Sequence, residues 1–317
     1  MSTDSATVRG RSLPALTLLA SLVCALLLGV TGCAGSDEGR PTVVVTTNIL
    51  GDITRNIVGD EAEVTVLMQA NADPHSFGVS APQAASIEQA DLVVYNGLGL
   101  EENVLRHVEA AEAAGVPTLA VGDAVDPITY TSGETAGEPD PHFWTDPERV
   151  HKAVGLIADR VAEHVKGVDR AAVEKNASDY GTKITKLTAW MRQQFDEIPA
   201  AKRQLVTNHH VFGYLSQRFG FRIVGAVIPS GTTLASPSAS DLKSLTTAIE
   251  KAGVKAIFAD SSQPDRLAQV LKRESDIEVG VVPLFSESLT EKGKGAATYL
   301  EMMRANTTSI ATGLGTE

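Results

Sequence analysis

The sequence predicts an α/β protein made of two βα lobes with parallel sheets, joined by one long mid-chain helix. Three observations predict it. Short β-branched runs alternate with helical apolar patterns from residue 42 onward, the signature of βαβ units. The alternation stops once, over 171–198, where apolar residues keep helical spacing for roughly 28 residues. It then resumes towards the end of the chain, so two βα halves flank the long helix. A length of 317 residues with 43% hydrophobic content suits two such domains and suffices to bury a core.

The elements follow in order. Residues 42–47 (TVVVTT) are a strand, and Leu50, Ile53 and Ile57 mark the buried face of the helix after it. A strand over 64–68 comes next. Ser80 and Gln83 are spaced as a capping box for a helix reaching about Ala90. Residues 92–95 are a strand, 101–114 a helix ended by Gly115, and 117–121 a strand. Asp146 and Pro147 supply an N-cap and a first-turn proline for a helix to about His164. In the long segment Val173, Ala177, Tyr180, Ile184, Leu187, Met191 and Phe195 recur every three or four positions. At 1.5 Å per residue that is about 40 Å of helix, a strut between domains.

Beyond the strut, strands are expected over 204–207, 222–227, 254–258 and 279–282, the last stopped by Pro283. Helices are expected over 212–218, 241–252, 264–273 and 296–310. The Ser/Thr/Gly/Pro-rich stretch 229–240 reads as a mobile loop. The expected domains are therefore 42–168, the linking helix 169–198, and 199–317.

The first 41 residues read differently. Arg9 and Arg11 precede an uncharged apolar run over 13–30, which ends in Val30-Thr31-Gly32-Cys33 and then Ala34, Gly35 and Ser36. A basic start, an apolar run and small residues at the cut make a secretory signal. Gly32 before Cys33 resembles the lipobox of bacterial lipoproteins, which implies that Cys33 is lipidated and becomes the mature N-terminus. Residues 1–32 are then the signal peptide and 33–41 a polar tether, and the protein works at the extracytoplasmic face of the cell membrane. The alternative is an uncleaved transmembrane helix, since about 18 apolar residues just span a bilayer. The Gly-Cys ending and the weak basic flank argue against it.

Composition narrows the function. With 27 Lys+Arg against 39 Asp+Glu, the formal net charge of −12 excludes a basic face for nucleic acid. Cys24 and Cys33 are the two cysteines, so the body holds no disulfide framework and no cysteine-based zinc site. No HExxH, GxSxG, Walker A or GxGxxG context occurs in the body, which removes the common hydrolase and nucleotide readings.

Three of the seven histidines sit in connections, each closely followed by a helix. His75 lies in Ala72-Asp73-Pro74-His75-Ser76-Phe77, and His142 in Asp140-Pro141-His142-Phe143-Trp144. His209 follows the strand QLVT, and a carboxylate, Glu287, follows the last strand in Leu284-Phe285-Ser286-Glu287-Ser288. Loops beyond the carboxyl ends of parallel strands line the binding crevice of such sheets. Two candidates come from each half, so they can converge where the lobes meet. Singly, each His is more often a solvated or backbone-bonded loop residue and Glu287 a solvated carboxylate; three histidines at equivalent topological positions argue for a site. His107, His151 and His164 fall within helices and read as surface residues, and His210 is the alternate to its neighbour His209. Asp73, Asp140 and Asp146 read as caps or as partners that orient the imidazoles. Three imidazoles and a carboxylate form a four-donor set that suits tetrahedral Zn²⁺. A catalytic zinc keeps a position open, so a closed shell argues for holding a metal. Because imidazoles must be neutral to ligate, binding is expected to weaken below about pH 6.

The lipobox, Asp-Pro-His-Ser-Phe, Asp-Pro-His-Phe-Trp-Thr-Asp-Pro, the mid-chain helix and His-His-Val-Phe-Gly-Tyr-Leu occur in one order. The chain resembles the zinc/manganese-specific solute-binding lipoproteins of ABC importers (the cluster A-I family) over essentially its whole mature length. The resemblance implies two βα lobes with the metal in the inter-lobe cleft, and carries that family's His ligands onto His75, His142 and His209. It implies an ABC permease and its ATPase as partners, a lipid-anchored monomer, and transported Zn²⁺, with Mn²⁺ as the alternative. His209 tilts towards zinc, since manganese-selective relatives commonly have Glu there. Two features depart from the family. Its fourth ligand is usually Asp, where this chain has Glu287, and the stretch 131–139 lacks the His-rich loop of many zinc members. A secreted metallohydrolase is the rival class, and an added role as a surface adhesin stays open.

Overall fold

The computed structural model describes residues 40–315 apart from 132 and 134. The expected signal peptide, Cys33 and most of the expected tether lie outside the described residues. The first lobe runs through β1 (Thr42–Val45), α1 (Asn48–Val58), β2 (Glu63–Val66), α2 (Ala81–Glu88), β3 (Leu92–Tyr95), α3 (Glu102–Ala113), β4 (Thr118–Ala120), the single turn α4 (Val121–Ala124) and α5 (Pro147–His164). Helix α6 (Arg170–Asp196) follows. The second lobe contains β5 (Gln204–Thr207), α7 (Gly213–Phe219), β6 (Arg222–Ala226), α8 (Ala239–Ala252), β7 (Ala256–Asp260), α9 (Arg266–Glu274), β8 (Gly280–Leu284) and α10 (Tyr299–Gly315).

Both sheets are parallel, with orders β2-β1-β3-β4 and β6-β5-β7-β8. The two halves thus repeat one topology. Central strands are apolar on both faces: Val43, Val44 and Val45 are fully buried, as parallel strands covered by helices require. The crossover switches at β1 and β5 aim the carboxyl ends of the strands, and the loops beyond them, into the crevice between the lobes.

Helix α6 is one unbroken helix of 27 residues. Asp169 caps it, its carboxylate accepting from the amides of Ala171 and Ala172. Val173, Tyr180, Ile184, Leu187, Met191 and Phe195 form its buried stripe, and each such side chain contributes about 1.5–3 kcal/mol by leaving water. That stripe belongs to a single core running from Val43 and Ile53 through Ile157 and Leu187 to Leu205, Phe258, Leu284 and Ile310. Smaller cores lie under the outer helices of each lobe.

Several expectations needed correction. Pro283 does not stop the last strand: β8 continues to Leu284, with Pro283 opposite Ala259. Among the described residues β8 is an edge strand bonded to β7 alone, where a residue without an N–H is tolerated. The last helix runs Tyr299–Gly315 instead of 296–310, because the segment before it crosses to the first lobe and bonds there. The stretch 229–238 is irregular as expected, but it is tied down by bonds described below.

Candidate metal centre

The four candidate residues lie in connections on the carboxyl side of strands, but not all at equivalent strands of the two sheets. His75 follows β2, His142 precedes a 3-10 turn (Phe143–Thr145) leading into α5, His209 follows β5 and Glu287 follows β8. The two Asp-Pro-His sequences fold alike. The Asp73 carboxylate accepts the His75 amide at 2.9 Å, and the Asp140 carboxylate accepts the His142 amide at 2.9 Å. Each is an Asx-type turn that bends the chain and presents the imidazole. His209 is fixed by Thr207, whose hydroxyl donates to the His209 carbonyl at 2.7 Å.

Glu287 sits in a segment sewn down from three sides. Asp260 accepts from the Ser286 amide at 3.2 Å and from the Ser286 hydroxyl. Trp144 Nε1 donates to the Ser286 carbonyl at 2.9 Å. Asn48 donates to Ser288 Oγ at 2.7 Å and accepts from the Leu289 amide at 2.9 Å.

The result is a compact four-donor cluster. His75 Nε2 lies 3.4 Å from His142 Nε2, which lies 3.4 Å from His209 Nε2. Glu287 Oε1 is 3.1 Å from His209 Nε2 and 3.5 Å from His142 Nε2, and Oε2 is 3.7 Å from His75 Nε2. All four donors lie within 4.8 Å of one another, on residues no more than 3% exposed. Zinc with bonds of 2.0–2.1 Å in tetrahedral geometry sets its ligand atoms about 3.4 Å apart. The separations of 3.1–3.7 Å lie around that value, as those between ligands of one divalent metal ion would.

Electrostatics agree with a site built around a cation. Both Glu287 oxygens are buried without a hydrogen-bond donor. An unpaired buried carboxylate is costly, so its proton is held. Burial pushes the Glu287 carboxyl up to about 8, reinforced by Asp260, Asp73 and Asp140 and opposed by His142. Burial pulls His75 down to about 2, with His142 and His209 adding to the effect, and pulls His209 down to about 4 against the nearby aspartates. His75 and His209 therefore hold their lone pairs free at neutral pH. Asp140 Oδ1 lies 2.8 Å from His142 Nδ1, which assigns the proton to Nδ1 and leaves Nε2 to ligate.

All four candidates come together. His210 stays outside the cluster, its amide donating to the Ser230 carbonyl and its ring facing Tyr130. His107, His151 and His164 lie on α3 and α5, outside the cluster. Asp146 caps α5 and binds Arg218 through both oxygens at 2.9 Å rather than orienting an imidazole. Sequence reading missed Asn48, Tyr130, Trp144 and Asp260. Tyr130 Oη lies 3.2 Å from His142 Nδ1. Asn48, Tyr130 and Asp260 sit in no motif with a ligand, and Trp144, though it stands in the His142 motif, reaches the Ser286 carbonyl 142 positions away, which the motif does not show.

The model of the family described as zinc-uptake complex component A, periplasmic (ZnuA) matches residues 43–313. The manganese ABC transporter substrate-binding lipoprotein PsaA of Streptococcus anginosus is 30% identical over 314 residues, covering 96% of this chain and 99% of that protein. The Mn-bound periplasmic metal binding protein from Candidatus Liberibacter asiaticus has a TM-score of 0.76 and 28% identity, covering 86% of this chain and 99% of that one. The periplasmic zinc binding protein TroA from Treponema pallidum has a TM-score of 0.76 and 27% identity, covering 87% and 99%.

Proposed function

The chain belongs to the family of periplasmic component A proteins of zinc-uptake complexes, and from that premise we propose that it captures Zn²⁺ through His75, His142, His209 and Glu287 and surrenders it to a membrane permease. It is the substrate-binding component of a metal ABC importer, and not an enzyme. The observation that carries the site assignment is the buried cluster itself, with three Nε2 atoms and an unpartnered carboxylate at zinc-ligand spacing.

On this reading the metal is the cargo. It sheds its water for three neutral imidazoles and displaces the proton of Glu287, so the filled site carries one net positive charge in place of the ion's two. Imidazole is a donor set for zinc, and the Irving–Williams order favours Zn²⁺ over Mn²⁺ at such a site. Mn²⁺ is the second reading. It is favoured by the names of the relatives and by Glu287, both of whose oxygens face ligand nitrogens and can raise the coordination number. Metal analysis of natively purified protein, followed by Zn²⁺/Mn²⁺ competition, tests the choice. Retention of zinc is expected, and bound manganese that excess zinc does not displace overturns it.

The remaining parts extend the same proposal. Residues 1–32 are the signal peptide, Cys33 the lipid anchor and 33–41 the tether, with 42–168 and 199–317 as lobes joined by 169–198. The protein works as a monomer at the extracytoplasmic face, beside the permease and its ATPase. Among the described residues no helix is long and apolar enough to cross a membrane; on this reading Cys33 supplies the anchor. Cys33→Ser is expected to release the processed protein from the membrane fraction. Processed Cys33→Ser protein that still sediments with membranes overturns the anchor.

A further inference from the structure

The segment between β6 and α8 crosses from the second lobe onto the two loops of the first that carry His75 and His142. Its attachments are specific. Asp73 Oδ1 holds the His75 amide, while Oδ2 accepts from Thr233 Oγ1 at 2.6 Å and from Gln263 Nε2 at 3.0 Å, besides Ser76 Oγ at 3.1 Å. Thr233 and Gln263 both belong to the second lobe, in the connections after β6 and β7. Two residues from Thr233, the Gly231 carbonyl accepts from Tyr130 Oη at 3.4 Å, and that hydroxyl touches His142 Nδ1. A Cβ at Gly231 would run into the ring and hydroxyl of Tyr130, so the strap lies flush on the tyrosine. Ser230 accepts the amide of His210, next to His209.

We infer that Asp73, Thr233 and Gln263 form a clasp between the lobes that sets how fast metal leaves the site, with Asp73 a positioning residue rather than a ligand. The inference rests on the reading that the cluster binds metal. An ion enclosed by residues from both lobes leaves only when their loops part. Parting these loops breaks two hydrogen bonds to a carboxylate, and bonds to charged acceptors are the strong ones. The same carboxylate holds the His75 backbone, so lifting the strap also loosens that ligand. Capture begins with the clasp unmade, which places its effect on release and not on association.

The test loads the protein with Zn²⁺ and follows release to a chromogenic chelator by stopped flow, with association rates and metal-free melting measured alongside. Thr233→Val removes the donor and keeps the shape. Release about tenfold faster is expected, the loss of one charge-assisted bond, with association unchanged. Thr233→Ser restores the donor and should release near the wild-type rate. Gly231→Ala, which lifts the strap off Tyr130, should also release faster. Thr233→Val at the wild-type rate, or Thr233→Ser as fast as Thr233→Val, overturns the clasp while wild-type binding of Zn²⁺ leaves the site reading standing. A wild-type protein that takes up no Zn²⁺ overturns the site reading and the clasp with it.

Discussion

Glu287 governs the pH response at the scale of single residues. In the metal-free cluster its carboxyl is raised to about 8, whereas His75 and His209 are depressed to about 2 and about 4. The metal-bound state needs the carboxylate, and the free state holds a proton below that raised value. Zn²⁺ binding at pH 7 is therefore expected to release close to one proton, and affinity should fall as pH drops from about 8. The sequence leads to an expected weakening below about pH 6; the raised Glu287 carboxyl adds a dependence that sets in at higher pH. Glu287→Gln should bind less tightly at about pH 8 and lose the proton release that Glu287 contributes, so its affinity should fall less than that of the wild type as pH drops from about 8 to about 7. Calorimetry in two buffers of different ionisation enthalpy reads the proton count; an unchanged count in Glu287→Gln assigns the proton elsewhere. The ligands were legible because each follows a strand and two share an Asp-Pro-His turn. Their supports were not: Asn48 and Ser288 lie 240 positions apart, and only the folded crossing of the last segment makes them neighbours.

At the scale of elements, the sequence was most readable where periodicity was long or a cap stood at the start. The α6 stripe recurs over about six turns, and its expected span of 171–198 differs from Arg170–Asp196 by a residue or two. Ser80 and Gln83 form the expected capping box, and Asp146 with Pro147 opens α5. Strand ends were less readable, because Pro283 is tolerated only through the edge position of β8, a property of the sheet and not of the segment. The Asp146 cap does more than its sequence suggests. It is 2% exposed, accepts the Glu148 amide at 3.0 Å and binds Arg218 of α7 from the other lobe. Asp146→Ala is expected to cost about 2–3 kcal/mol, from a lost cap and a guanidinium left without its carboxylate. Asp146→Asn keeps the cap and should cost about half as much. Urea unfolding measures both, and equal losses would assign the whole effect to the ion pair.

The whole molecule joins its lobes through more than α6. One apolar core passes from β1 and α1 across α5 and α6 to β5, β7, β8 and α10. The last segment returns to the first lobe, where the Tyr299 amide donates to Asp52 at 2.9 Å and the Tyr299 hydroxyl donates to the Trp144 carbonyl at 3.0 Å. A hinge motion that wetted about 200 Å² of this core would cost about 5 kcal/mol, a large share of the stability of a domain. The strap over 229–238 meets the first lobe mainly through hydrogen bonds and carries a smaller penalty. The ligand loops are also pinned by Phe143, Val211 and Leu289 in the core, so the strap is the part that water releases most readily. Metal exchange is therefore expected to proceed by local loop opening over an unmoved core. Zn²⁺ loading should leave the radius of gyration unchanged in solution scattering. In hydrogen exchange it should add protection to the loops around His75, residues 229–238 and residues 285–289, while α6 keeps the same protection in both states. Compaction by about 1 Å or more on loading, together with new protection along α6, would mean that the lobes swing as rigid bodies and that the shared core yields.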